Sequence, residues 1–313
     1  MFKSFLKLVR WPNLVFIVLT QMLFSYAIIQ PAFQQAQLKP NVHGLYFILL
    51  VIASVFIAAA GYIINDYFDI NIDSINKPNK LIVDKVFNRR WVLAWHLILS
   101  FAGIGIGFFI DIKTGVMMLG FANMICVFLL FFYSISLKKK LLIGNILIAI
   151  LTAWVVLVIT WCESRFYINA FKKDVPIDLN KITRLTFLYA GFAFVISLIR
   201  EVIKDMEDIE GDRRFNCKTM PIVWGINASK VFIAVWLIVL IAALIIIQIY
   251  AIQLKWWLSI SYTVAFVIFP LLLIFRKLYL ARNASDYHQL SSWVKWIMFT
   301  GILSMIFFKY YSL

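Results

Sequence analysis

Acidic side chains are scarce in this chain: 15 of 313 residues, against 30 Lys plus Arg. Charged residues of both signs make up only 14% of the sequence, while 63% is hydrophobic and 17% aromatic. A water-soluble domain cannot hide that much apolar surface, so the composition implies a multi-spanning membrane protein. Period-two alternation is also absent, and the apolar runs approach about twenty residues. That pattern argues for helices over a β-barrel, and so for an all-α, multi-spanning helical bundle. Cysteine is limited to Cys126, Cys162 and Cys217, odd in number and scattered, which implies neither a disulfide framework nor a thiolate metal site. His43, His96 and His288 are isolated; each reads as a surface or packing residue. No Ser-His-Asp or metalloprotease pattern accompanies them.

The net charge of +15 is strongly basic. No nucleic-acid module accompanies it, so the basic residues read as topology signals and contacts to anionic membrane lipids. Nine candidate spans follow one another as a single integral-membrane domain, 1–313. The first runs from about Asn13 to Ile29 and is closed by Pro31. Ser25-Tyr26-Ala27 imitates a signal cleavage site, but the run is long enough to cross the bilayer itself and is read as a span. The others run from about Leu45 to Ile64, Trp91 to Ile110, Gly115 to Ile135, Leu142 to Trp161, Leu185 to Ile199, Val231 to Tyr250, Trp256 to Phe275 and Trp293 to Phe308. A very short turn at Asp111-Ile112-Lys113 joins the third and fourth. The polar stretch after the fifth is long enough for a short interfacial helix, and Pro270 is placed to kink the eighth span.

With the N-terminus in the cytoplasm, alternation puts most of the basic residues on that side. They are Lys3, Lys7 and Arg10; the cluster from Lys77 to Arg90; Lys138 to Lys140; Arg213, Arg214 and Lys218; and Arg276, Lys277 and Arg282. The expected localisation is therefore a cell inner membrane, with the ends of spans two and six facing the cytoplasm.

Those two span ends hold nine of the fifteen acids: Asp66, Asp69, Asp73, Glu201, Asp205, Glu207, Asp208, Glu210 and Asp212. Asp66, Asp69 and Asp73 are spaced i, i+3, i+7, and Asp205, Asp208 and Asp212 repeat that spacing. On a helix, such side chains fall within an arc of roughly 60°. Three carboxylates on one face repel each other. A divalent cation resolves the repulsion, and hard oxygen ligands suit Mg²⁺. Two such sets make a ready site for a diphosphate. The four-span offset between them hints at two related halves, about 1–140 and 141–313. Ordinary solvated loop acids would mix signs and need no shared register.

A diphosphate also calls for cationic contacts. Candidates are Lys77, Lys80, Lys138, Arg200 and Lys204, each of which is alternatively a positive-inside anchor. Arg10 with Asn13, at the start of the first span, either meets an anionic head group or snorkels. The acids lie at span ends while the span interiors are nearly free of charge, which argues against an ion transporter with midplane sites.

Asn65-Asp66-x-x-Asp69-x-x-x-Asp73 resembles the first signature of the UbiA-type intramembrane prenyltransferases. Asp205-x-x-Asp208-x-x-x-Asp212 resembles the second. Tyr133-Ser134-x-x-Leu137-Lys138 after the fourth span is similar too, and the likeness covers nearly the whole chain. The run Arg200 to Asp212 with Thr219-Met220-Pro221-Ile222 is most similar to the ether-lipid branch. The stretch Asn76-Lys77-Pro78-Asn79-Lys80 departs from the family, which usually shows arginines there; lysine keeps the charge without the bidentate fork.

The resemblance implies Mg²⁺ held by Asn65, Asp66, Asp69, Asp73, Asp205, Asp208 and Asp212, with Asp69, Asp73, Asp208 and Asp212 as the catalytic carboxylates. It implies substrate contacts from Arg10, Asn13, Lys77, Lys80, Tyr133, Lys138, Arg200 and Lys204. The implied partners are a polyprenyl diphosphate donor, a prenylglyceryl phosphate or another lipophilic acceptor, and membrane lipids, with no nucleic acid. An aromatic acceptor of quinone biosynthesis and a haem acceptor stay open as alternatives.

Overall fold

The computed structural model describes residues 1–76, 82–170 and 177–311. Nine apolar helices among them correspond to the nine expected spans: α1 Trp11–Gln35, α2 Leu45–Phe68, α3 Arg89–Thr114, α4 Leu119–Ile135, α5 Ile143–Trp161, α6 Leu179–Glu207, α7 Ile226–Gln253, α8 Trp257–Leu280 and α9 Ala284–Tyr311. Eight are long and apolar enough to cross a membrane, and α4 is shorter at 17 residues. At 1.5 Å per residue α4 rises about 25 Å, the low end of what a span needs. The chain is an integral membrane protein. A short helix, Ser164–Ala170, occupies the stretch expected to be interfacial.

Pro31 does not close α1. The helix runs on to Gln35, with a π turn at Ser25–Ile29 just ahead of the proline. Pro270 in α8 has the same companion, a π turn at Val264–Ile268. Proline removes one backbone donor and crowds the carbonyl four residues back; widening the preceding turn accommodates both. The α3–α4 turn also lies later than expected. The helix α3 continues to Thr114 and ends at Gly115, whose φ of +67° suits glycine. Asp111 then accepts hydrogen bonds from Leu119 N (2.9 Å) and Gly120 N (2.8 Å), capping the start of α4.

The chain divides into two compact units: residues 1–137 with 154–187, and residues 138–153 with 188–313. In the first unit α2 packs against α1, α3 and α4. Small residues set the approach: Gly107 on α3 lies so close to Gly120 that an added Cβ would sit 3.0 Å from Gly120 Cα. At one end of this unit the short helix Phe2–Leu8 and the turn 82–87 dock on α2 and α3. There Leu8, Val9, Val83 and Phe87 bury against Ala59, Ile63 and Val92.

In the second unit α6, α7, α8 and α9 share one core, with Ile199, Val202 and Ile203 of α6 meeting Leu237, Leu271, Ile274 and Val294. At 29 residues α6 rises roughly 44 Å, more than the hydrocarbon thickness, so its polar end projects past the apolar layer.

Candidate active site

Both acid triplets straddle a helix junction. In the first unit α2 ends at Phe68, Asp69 stands between helices with φ −90° and ψ 0°, and a short helix Ile70–Asn76 follows. In the second, α6 ends at Glu207, Asp208 has φ −95° and ψ 10°, and the helix Ile209–Arg214 follows. The expectation of one uninterrupted helical face is corrected at the central aspartate of each set. That residue sits in the bridge region, often used by active-site residues. Four-residue hydrogen bonds persist across each junction: Asp69 N to Asn65 O at 2.9 Å and Asp73 N to Asp69 O at 2.8 Å. Asp208 N to Lys204 O at 2.9 Å and Asp212 N to Asp208 O at 3.2 Å complete the pattern. The triplets therefore bend without losing register. Crowded like charges and the weak helix propensity of Asp favour relaxation at that point.

All six triplet aspartates are half-buried, whereas Asn71, Ser74, Glu210, Arg213 and Arg214 are exposed; of the other acids nearby, Glu207 is half-buried and Glu201 buried.

In the first unit, Arg10 Nη2 pairs with Asp66 Oδ1 at 2.6 Å, and its guanidinium lies 5.2 Å from the centroid of Tyr62. Arg10 does not snorkel; it reaches the first acid of the triplet. Burial works against its charge, but Asp66 outweighs that effect and holds the guanidinium above its ordinary range. Asn65 Nδ2 donates to Asp69 Oδ2 at 2.8 Å. Asn13 is half-buried, with its backbone N donating to Arg10 O at 2.8 Å. Tyr133 is half-buried near the end of α4. Aromatic rings crowd this end: Tyr67 meets Phe68 edge-on at 5.3 Å, and Phe68 meets Phe131 at 6.1 Å. Lys77 and Lys80 lie outside the described residues.

In the second unit, Arg200 Nη1 and Lys204 Nζ both bond the buried Glu201, at 3.1 Å each. The two expected phosphate contacts are thus held by one carboxylate that was not expected to belong to the site. Lys138 is half-buried, while Lys139 and Lys140 are exposed. Lys218 N donates to Lys139 O at 2.7 Å, tying the segment that carries Lys138 to the loop after Asp212.

Two contacts escaped the sequence reading. Asn145 on α5 donates to Asp205 Oδ2 at 2.8 Å; the signal was an amide in an otherwise apolar span. His288 is not isolated, since its Nδ1 lies 2.8 Å from Glu207 Oε1. Nothing in the spacing of residues 81 apart announces that pair.

A model of the UbiA prenyltransferase family matches residues 14–303. Digeranylgeranylglyceryl phosphate synthase from Methanosphaera stadtmanae is 30% identical over 262 residues, covering 83% of this chain and 86% of that protein. A solved structure concerning digeranylgeranylglyceryl phosphate synthase in membranes superimposes with TM-score 0.58 at 22% identity, over 97% of this chain and 98% of that one. A UbiA homologue from Archaeoglobus fulgidus, solved with DMAPP and Mg²⁺ bound, gives TM-score 0.52 at 15% identity, over 96% and 99% of the two chains.

Proposed function

This chain belongs to the UbiA prenyltransferase family, and we propose that it transfers a geranylgeranyl group from its diphosphate to the glycerol hydroxyl of a prenylglyceryl phosphate. The product is an ether-lipid precursor. The observation that carries the reaction class is the shared register of six half-buried aspartates, bent at Asp69 and Asp208 alike. The relative of the same length class, 30% identical and named for this activity, carries the choice of acceptor.

The donor set fits Mg²⁺ with a phosphate ligand. Among the described residues no three acidic, His or Cys side chains converge into a ready-made cage. Mg²⁺ sites that serve phosphate substrates need none, because one or two carboxylates, water and the phosphate oxygens complete the shell. Asn65, Asp66, Asp69 and Asp73 would hold Mg²⁺ on the first unit, and Asp205, Asp208 and Asp212 would hold it on the second, with Asp69, Asp73, Asp208 and Asp212 as the catalytic carboxylates. Bound Mg²⁺ supplies the positive charge that stabilises the departing diphosphate.

The chain's own groups do the rest. Lys138, Arg200 and Lys204, with Lys77 and Lys80, neutralise the donor's remaining charge. Arg10, Asn13 and Tyr133 orient the phosphate heads. The rings of Tyr67, Phe68 and Phe131, gathered at the Asp69 end of the first unit, would stabilise the allylic cation. The allylic C–O bond to diphosphate breaks, the glycerol oxygen bonds to that carbon, and the hydroxyl proton is released. The excess of Lys and Arg near both acid sets supports a cytoplasmic active site in the cell inner membrane.

The test is prenyl transfer by the purified chain in liposomes with Mg²⁺ and geranylgeranyl diphosphate. Geranylgeranylglyceryl phosphate, 4-hydroxybenzoate and dihydroxynaphthoate are offered separately. Diether formation, lost in Asp69→Ala and in Asp208→Ala, is the expected result. Transfer to an aromatic acceptor alone would overturn the choice of acceptor and leave the reaction class standing.

A further inference from the structure

We propose that Arg10 is a tethered counter-ion for Asp66, holding that carboxylate in the metal-free protein and releasing it to the cation when Arg10 takes the donor's diphosphate. The proposal rests on the reading above, in which Asp66 belongs to the first metal-binding set.

The placement of Arg10 is built. Its backbone has φ 52° and ψ 51°, the left-handed region, which costs an arginine energy. On one side Leu8 and Val9 are 0% and 4% exposed, buried against α2 and α3. On the other, Asn13 N bonds Arg10 O at 2.8 Å where α1 begins. Packing on both flanks fixes the backbone, so the remaining freedom lies in the side chain. That side chain lies over Tyr62, one helical turn before Asp66, and ends 2.6 Å from the Asp66 carboxylate. The pair is only partly buried, at 34% and 19% exposure, and Arg10 stands ahead of the first residue of α1, outside the span, so opening the pair does not place its charge at span depth.

The chemistry favours an exchange of partners. A carboxylate bonded to a guanidinium offers fewer lone pairs to a cation, so metal must compete with Arg10. A diphosphate is the stronger bidentate anion for a guanidinium. When donor and metal arrive together, Arg10 moves to phosphate and Asp66 to metal, and every charge stays paired. The second set differs: Asp205 accepts from the neutral amide of Asn145. The first set therefore takes metal mainly with donor, and the second takes metal ahead of it.

The experiment titrates Mn²⁺ into the full chain in detergent without donor, reading free Mn²⁺ by electron paramagnetic resonance. Inorganic diphosphate affinity is measured in parallel with Mg²⁺ present. Arg10→Gln is expected to bind Mn²⁺ about fivefold tighter than the natural chain, the scale of one partly exposed ion pair, and to bind diphosphate more weakly. Arg10→Lys, which keeps the charge but neither forks nor stacks, is expected between the two. It carries the test if the glutamine variant does not fold. Unchanged or weaker Mn²⁺ binding in both Arg10 variants, with Asp66→Asn still lowering it, overturns the counter-ion role and leaves the metal reading intact. Equal Mn²⁺ binding by the natural chain, Asp66→Asn and Asp208→Asn overturns both.

Discussion

Asn145 and Asp205 are joined across two helices of the second unit: the amide of Asn145 donates to Asp205 Oδ2 at 2.8 Å. Asn145 is 7% exposed, so the bond is shielded from water and fixes the carboxylate's orientation. An amide can hold a carboxylate without neutralising it, leaving the second oxygen as a hard donor.

The first prediction concerns that bond. Asn145→Ala is expected to raise the apparent Mg²⁺ requirement for transfer about tenfold, the low end of the cost of losing a group that orients a metal ligand. Saturating Mg²⁺ should restore most of the rate. A loss of rate that Mg²⁺ does not rescue would assign Asn145 to packing alone.

The first unit offers a pH test at the other end of α2. The buried Glu163 accepts from Asn41 N at 2.7 Å and Val42 N at 3.4 Å. Burial pushes its pKa up to about 7, although the two backbone donors pull it down. The folded state thus holds the proton more tightly than the unfolded chain. Its contribution is complete below the usual carboxylate pKa and is lost as pH rises to about 7, on the order of 3 kcal/mol. Melting temperature should fall between about pH 4.5 and pH 7, and Glu163→Gln should flatten that slope. An equally steep slope in the variant would place the titrating group elsewhere.

Helix packing in the same unit predicts a contrast between two glycines two residues apart. Gly107→Val would press its Cβ against the Gly120 backbone, whereas an added Cβ at Gly105 meets nothing within 4 Å. The valine variant is expected to lose about 1–3 kcal/mol of stability, read as a lower melting temperature; Gly105→Ala should melt at or above the natural chain, because alanine favours a helix over glycine. Equal melting of all three would show that α3 and α4 can separate at no cost.

Membrane orientation is testable because the three native cysteines are buried. Lys139→Cys and Lys255→Cys each introduce one exposed thiol. With the acid sets facing the cytoplasm, an impermeant maleimide should label position 255 in intact cells and position 139 in inverted vesicles. The reverse pattern would invert the topology and move the active site to the opposite side.

Much of this protein was legible in its sequence. Apolar runs of bilayer length can satisfy their backbone only as helices, so the number and order of spans follow from composition and period. The two i, i+3, i+7 acid sets were legible because a helical register is a local property, and helices such as α2 and α6 impose it within a few residues. Proline was misread at Pro31 because its local effect is to break a helix; in α1 a π turn absorbs that effect. What the sequence could not determine were contacts between residues distant in the chain: Arg10 with Asp66, Asn145 with Asp205, Glu207 with His288, and Glu163 with Asn41. Each joins partners 56 or more residues apart. Such pairs depend on which helix faces meet, and in a chain this uniformly apolar the periodicity marks helices without marking their neighbours. Only side-chain packing, the fit of Gly107 against Gly120 or of Leu8 against Ile63, selects those faces.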